Sequence, residues 1–173
     1  MRVDDEHLTR PLLVLVGGLA VVLALTLLLT TGASATRGPD RAAAENMLTW
    51  VNEERALHGL PPFAGAPDVA LVAERWSADM ALRRELEHNP RYAEQLCCWE
   101  LAAENVAFSD PYATWRPGDP VERVTEELHL ALLDSPSHRE NLLHPDLDEI
   151  GIGVHVHDDG SVWITQNFRA AAP

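Results

Sequence analysis

Ser135-Pro136-Ser137-His138-Arg139-Glu140-Asn141-Leu142-Leu143-His144-Pro145, followed by Asp146 to Ile150 and then Gly151-Ile152-Gly153, joins a helix to a strand and puts a histidine at the junction. Ser135 suits the N-cap of a short helical turn and Pro136 suits its first position. His138 falls in that first turn, and Pro145 stops it. Beyond the acidic loop, Ile150, Ile152, Val154 and Val156 alternate with Gly151, Gly153, His155 and His157, the period of a strand. The two glycines leave one strand face bare, so a side chain or a ligand can approach closely there. Two ionisable positions elsewhere suit partnership with His138: His88 in Glu87-His88-Asn89-Pro90 and Glu104 in Ala103-Glu104-Asn105-Val106.

Taken in order, Asn52-x-x-Arg55, His88-Asn89, Glu104-Asn105-Val106, Ser135 to Asn141, Gly151-Ile152-Gly153-Val154 and Gln166-Asn167-Phe168 resemble the CAP superfamily. That superfamily includes cysteine-rich secretory, antigen-5 and pathogenesis-related proteins, and the chain is most similar to its short bacterial branch. The resemblance runs from Met47 to Phe168. It implies an α+β fold, a three-layer α-β-α sandwich around a small three-stranded antiparallel sheet. It also implies a cavity containing His88, Glu104 and His138. The family's second cavity glutamate lies on the helix before the last histidine; Glu126, Glu127 and His129 occupy that helix here, and none aligns cleanly.

The chain has 173 residues and a formal net charge of −14, and all 13 of its basic side chains are arginine. Such a surface repels nucleic acid phosphate and anionic lipid headgroups, so no nucleic acid partner is expected. The N-terminus stands apart. Residues 1–10 are polar, and 11–31 carry no charge and are apolar almost throughout. About twenty helical residues cross a hydrocarbon core of ~30 Å. This segment reads as one hydrophobic helix, either a single-pass anchor with the C-terminus outside or a secretion signal cleaved near Ala35 after Ala33-Ser34-Ala35. Residues 32–42 read as a linker, 43–169 as the domain and 170–173 as a frayed tail. Either way the domain lies outside the cytoplasmic membrane.

Within the domain, Ala44, Met47, Leu48 and Val51 recur at helical spacing, with Asp40 as a cap and Gly59 as the stop. Asn52 and Arg55 on this helix suit tying a loop or strand end. A second helix carries Val69, Val72, Ala73, Trp76 and Met80, and a third carries Val121, Val124, Leu128, Ala131 and Leu132 with His129 beside the stripe. The resemblance places a short first strand at 86–89. Residues 91–100 read as loop, and Glu104 follows in a loop. Cys97 and Cys98 leave three states open: reduced thiols, a bridge between neighbours, or intermolecular bridges. Asp158-Asp159-Gly160-Ser161 is a hairpin turn into a last strand of alternating Val162, Ile164, Gln166 and Phe168.

Two imidazoles and a carboxylate are a donor set for zinc or another divalent metal, and three protein ligands leave a position open. The metal expectation therefore falls on His88, Glu104 and His138, with His129 as a further cavity residue. No His-Glu-x-x-His helix and no Gly-x-Ser-x-Gly elbow occurs, which disfavours zincin and serine hydrolase chemistry. His155 and His157 share a strand face and read chiefly as a solvated hairpin. Three functions stay open. One is an extracellular binding module for a lipid, sterol or cell-envelope glycan. Another is an envelope hydrolase with Glu104 as general base and a metal or His138 as electrophile. The third is an interaction domain without chemistry.

Overall fold

The computed structural model describes residues 38–110 and 120–172. The hydrophobic segment 11–31 and residues 111–119 lie outside the described residues, as does Pro173. Among the described residues no helix is long and apolar enough to cross a membrane.

Helix α1 (Pro39–Leu57) starts with Gly38 at its N-cap, and Asp40 stands inside the first turn rather than capping it. A carboxylate there still complements the positive end of the helix. Gly59, at φ 70°, follows the C-cap residue His58 and allows the left-handed exit. A two-residue strand β1 (Ala64–Gly65) leads into α2 (Pro67–Arg83), which ends in left-handed Arg84. A single turn, α3 (Tyr92–Gln95), precedes β2 (Trp99–Ser109). Then come α4 (Val121–Asp134), α5 (Pro136–Leu142), β3 (Glu149–Val156) and β4 (Val162–Ala171).

The sheet order is β1-β3-β4-β2. Strands β2, β4 and β3 are antiparallel, as expected, and β1 adds a fourth, parallel strand on the outer edge of β3. One face of the sheet receives α1, α4 and α5. Met47, Val51, Leu128, Leu132 and Leu142 pack there on Ile150, Ile152, Ile164 and Phe168. The other face receives α2, whose Met80 and Ala81 pack on Val106 and Trp163. The α-β-α layering follows from that division.

Several local readings need correction. Residues 86–89 form no strand; they are an extended loop held by Trp76, whose indole N–H donates to the Glu87 carbonyl at 2.9 Å. Glu104 is not in a loop but in the middle of β2. That strand is a sheet edge exposed at its start, so its apolar alternation is weak where the small residues Ala102 and Ala103 sit. Ser135 does occupy the N-cap of α5, with Pro136 at the first position, but its hydroxyl makes no capping bond. Cys97 and Cys98 are bridged to each other.

The bare face of Gly151 and Gly153 is filled by the backbone of α2. A β-carbon on Gly151 would lie 2.1 Å from the Ala70 nitrogen, and one on Gly153 would lie 2.2 Å from the Ala73 carbonyl carbon. The glycines therefore serve helix packing rather than ligand access. Ser77 seals the contact, its hydroxyl lying 3.0 Å from the Gly153 carbonyl and 2.9 Å from the Thr165 hydroxyl.

Two arginines tie the layers together. Arg55 is 1% exposed and donates to the carbonyls of Pro61 (2.8 Å), Leu142 (3.0 Å), His144 (3.1 Å) and Leu147 (3.4 Å). Its guanidinium carbon lies 3.6 Å from the centre of the Phe63 ring. Asn52 clamps the same connector, accepting from the Phe63 amide at 2.8 Å and donating to its carbonyl at 3.2 Å. Both residues do the structural work expected of them. Arg169 of β4 grips Asp68 at the start of α2 through two bonds, of 2.7 and 3.3 Å. It also reaches Glu149 of β3 and the Cys97 carbonyl. The Arg169 guanidinium holds the Asp68 carboxyl below its ordinary value.

Candidate functional site

At its outer edge β2 has no neighbouring strand among the described residues, and two segments meet it there. The 86–89 loop comes from the α2 side, and α5 comes from the other. Side chains of β2 alternate, so Glu104 points toward the α2 layer and Asn105 toward α5.

Glu104 is the centre of the candidate site. Its Oε1 accepts from the Asn89 backbone N–H at 2.8 Å and lies 2.9 Å from His88 Nδ1. Its side chain is only 6% exposed, whereas that of His88 is 62% exposed. The other oxygen, Oε2, is buried without a hydrogen-bond partner. Burial raises the Glu104 carboxyl above its ordinary value, while the Asn89 amide and His88 oppose the rise. Asn167 stands opposite Glu104 across the β2–β4 ladder, fully buried, and neither polar atom of its amide is paired. Tyr92 is buried nearby and donates its hydroxyl to the Phe168 carbonyl. Burial and then the Glu104 charge push its phenol up.

His138 enters from the opposite side. Its backbone carbonyl accepts from Asn105 Nδ2 at 3.1 Å. Asn105 in turn accepts from Asn141 Nδ2 at 2.8 Å and donates to Gln166 Oε1 at 3.1 Å. This buried amide chain locks the first turn of α5 onto β2 and β4, so His138 is positioned by a rigid support. Burial lowers the His138 imidazole below its ordinary value, and repulsion from His88 lowers it further. Burial thus favours the neutral form of His138 and the protonated form of Glu104. Such groups can accept and donate hydrogen bonds to a polar ligand, or trade a proton with it.

The fold therefore brings His88 into contact with Glu104, and His138 within electrostatic reach of His88. His129 belongs to a different cluster. Its ring stacks at 6.0 Å on Trp50 of α1, its charged neighbour is Glu54, and its buried Nδ1 has no hydrogen-bond partner. Among the described residues no group of three or more His, Cys, Asp or Glu side chains is placed to hold a metal ion. As arranged, Glu104 Oε1 is bonded to His88 and to the Asn89 amide. His155 and His157 lie edge to face at 6.3 Å, and His157 leans on Asp159. Sequence reading gave no role to Tyr92, nor to Asn105, Asn141 and Asn167, although these three lie in the motifs that carry the resemblance. Buried amides carry no periodic signature, and Tyr92 sits in a stretch of weak pattern.

His129 gives a pH prediction. Burial holds its imidazole below the ordinary value against the pull of Glu54, so the folded state prefers it neutral. Its contribution is complete above the unfolded value of ~6.5 and is lost as pH falls through the lower folded value. The urea midpoint should therefore drop between pH 7 and pH 5, and His129→Gln should flatten that slope. A variant with the parent's slope would assign the effect to other groups.

The chain belongs to the CAP family: residues 48–168 match its model, described as the cysteine-rich secretory protein family. Within it, the chain is 27% identical over 143 residues to the YkwD protein of Bacillus subtilis (strain 168), which covers 77% of this chain and 50% of that protein. The chain thus spans half the length of this curated relative. An extracellular protein containing a SCP domain from Bacillus anthracis str. Ames is 27% identical, with a TM-score of 0.58 over 75% of this chain and 41% of that one. An outer surface protein from Borrelia burgdorferi shares the fold at 20% identity, with a TM-score of 0.61 over 76% of this chain and 94% of its own.

Proposed function

We propose that the chain is a binding module that works outside the cytoplasmic membrane and takes a polar cell-envelope ligand at the β2 edge. The observation that carries this reading is Glu104 Oε2, a buried carboxyl oxygen with no partner, in a side chain that the exposed His88 ring contacts. A buried acceptor left unpaired costs about 1–3 kcal/mol, and a ligand hydroxyl or amide that donates to it recovers that cost. The secretion of the domain rests on the apolar 11–31 segment and on the extracellular relative.

Pull-down by isolated peptidoglycan, phospholipid vesicles and sterol-containing vesicles, with the purified full-length chain, tests it. One envelope fraction should retain the protein, and Glu104→Gln, which keeps the shape but removes the charge, should weaken retention about tenfold. Retention unchanged in Glu104→Gln would move the binding off this edge and favour a plain interaction domain. Release of soluble fragments from the retained fraction would favour a hydrolase with Glu104 as base.

Zinc enters as a second reading. NaASP2, which is 11% identical with a TM-score of 0.51, was determined with Zn2+. In this chain the exposed His88 ring would have to leave Glu104 before both could face an ion with His138. Zinc uptake by the full-length chain, lost in His138→Ala, would support that rearrangement.

A further inference from the structure

Among the described residues almost all arginines of this acidic chain are engaged. Arg41, Arg83, Arg84, Arg123, Arg139 and Arg169 each meet a carboxylate, and Arg55 meets backbone carbonyls. Among the described residues the exceptions are Arg75 and Arg91, whose guanidinium groups make no hydrogen bond or ion pair. They come from different elements, α2 and the loop before α3, yet both line one cleft of about 460 Å³. With carboxylates this abundant, leaving two cations unpaired at random on the same cleft is the less economical account. A cation pair set in a concave site is the arrangement that receives an anion.

The rest of the cleft says what carries the anion. Its apolar wall is Val72 and Trp76, one helical turn apart on α2. The Trp76 ring is immobilised: its N–H is bound to the Glu87 carbonyl, and the Arg83 guanidinium lies 5.0 Å from its centre. The opposite wall is fixed by Asn89, which donates to Gln95 Oε1 at 2.8 Å and accepts the Arg91 amide at 3.0 Å. Asp79 also lines the cleft, but its carboxylate is taken by Arg83 at 3.0 Å. A rigid aromatic wall, fixed amides and two forked cations suit a ring bearing hydroxyls and one acidic group. The volume is small for a macromolecule and ample for one or two sugar rings.

We propose that this cleft binds an anionic saccharide, with Arg75 and Arg91 gripping its carboxylate or phosphate and Trp76 supporting a sugar ring. The site lies on the α2 side of the 88–89 segment and does not depend on the reading of Glu104. The two sources of the charge, a uronic acid or a sugar phosphate, share the same recognition.

Titration calorimetry on the full-length chain separates the outcomes, using digalacturonic acid, glucose 6-phosphate, neutral cellobiose and inorganic phosphate as probes. One charged sugar should bind at least about tenfold tighter than cellobiose and than phosphate alone. Whichever charged sugar wins names the source. Arg75→Gln and Arg91→Gln should each weaken it about tenfold, the double variant should abolish it, and Arg75→Lys should retain part. Arg123→Gln, outside the cleft, should change nothing. Both cleft arginines are at the surface, so the variants keep the fold, which an unchanged melting curve verifies. Equal affinity for cellobiose, no heat with either charged sugar, or parental affinity in the double variant would overturn the proposal. Phosphate alone binding as tightly as the sugars would overturn the saccharide assignment.

Discussion

Arg55→Met is expected to destabilise the domain by about 3–5 kcal/mol, the scale for removing one member of a buried charged network. The substitution keeps most of the aliphatic stem but takes away every donor. The carbonyls of Pro61, Leu142, His144 and Leu147 would then be left without this partner. Each unpaired interior carbonyl costs about 1–3 kcal/mol, offset where water can enter. The Phe63 ring would also lose the cation stacked on it. For a domain of this size the midpoint temperature should fall by about 10 °C or more. Arg55→Lys should recover only part of the loss, because an ammonium cannot span carbonyls that lie on two sides of a planar fork. Burial lowers the Arg55 value, yet an arginine remains charged across the accessible pH range. The effect should therefore be the same at pH 6 and pH 9. A loss below about 1 kcal/mol in urea unfolding would show that water takes over the donors' role.

Gly151→Ala should cost about 3 kcal/mol or more. The added carbon would stand 2.1 Å from the Ala70 nitrogen and 2.3 Å from the Val69 carbonyl carbon. Ordinary contact begins near 3.4 Å, and the obstructing atoms are helix backbone, which cannot rotate aside. Helix α2 would have to retreat by more than an ångström. That retreat would loosen Ser77 from Gly153 and Thr165, and Asp68 from Arg169. Gly153→Ala meets the same helix one turn on and should cost a similar amount. Since both act on one packed contact, the double variant should not be additive and should fail to fold. Circular dichroism of the single variants, with melting, checks the result. A fully stable Gly151→Ala protein would mean that α2 rides more loosely than its spacing implies.

How much was legible in the sequence differs by element. The stripes Met47–Val51, Val69–Met80 and Val124–Leu132 identify three helices because each buries one continuous face. The last two strands are legible because β4 is buried on both faces and β3 alternates. Strand β1 has two residues and no pattern. Strand β2 hides because its edge position leaves its first residues exposed, so Glu104 is placed by resemblance and not by periodicity. The Gly151–Gly153 face is legible as a close approach, but not what approaches: periodicity reports which side is bare and says nothing of the element docked on it. Arg55 is legible as a tie, while the identity of its carbonyl partners depends on where α5 ends.

Strand order has a consequence for synthesis. Strand β4, the last of the four to be made, lies between β3 and β2. The ten register partners of β2 all lie between residues 162 and 171. Until translation reaches residues 162–171, β2 lacks its partner strand, and Asp68 waits for a guanidinium 101 positions downstream. A chain short of β4 thus has its helices and the β1–β3 pair available but none of its antiparallel pairs, and closing such long loops is what slows a fold of this topology. All three antiparallel strands therefore come together only once the last of them is made.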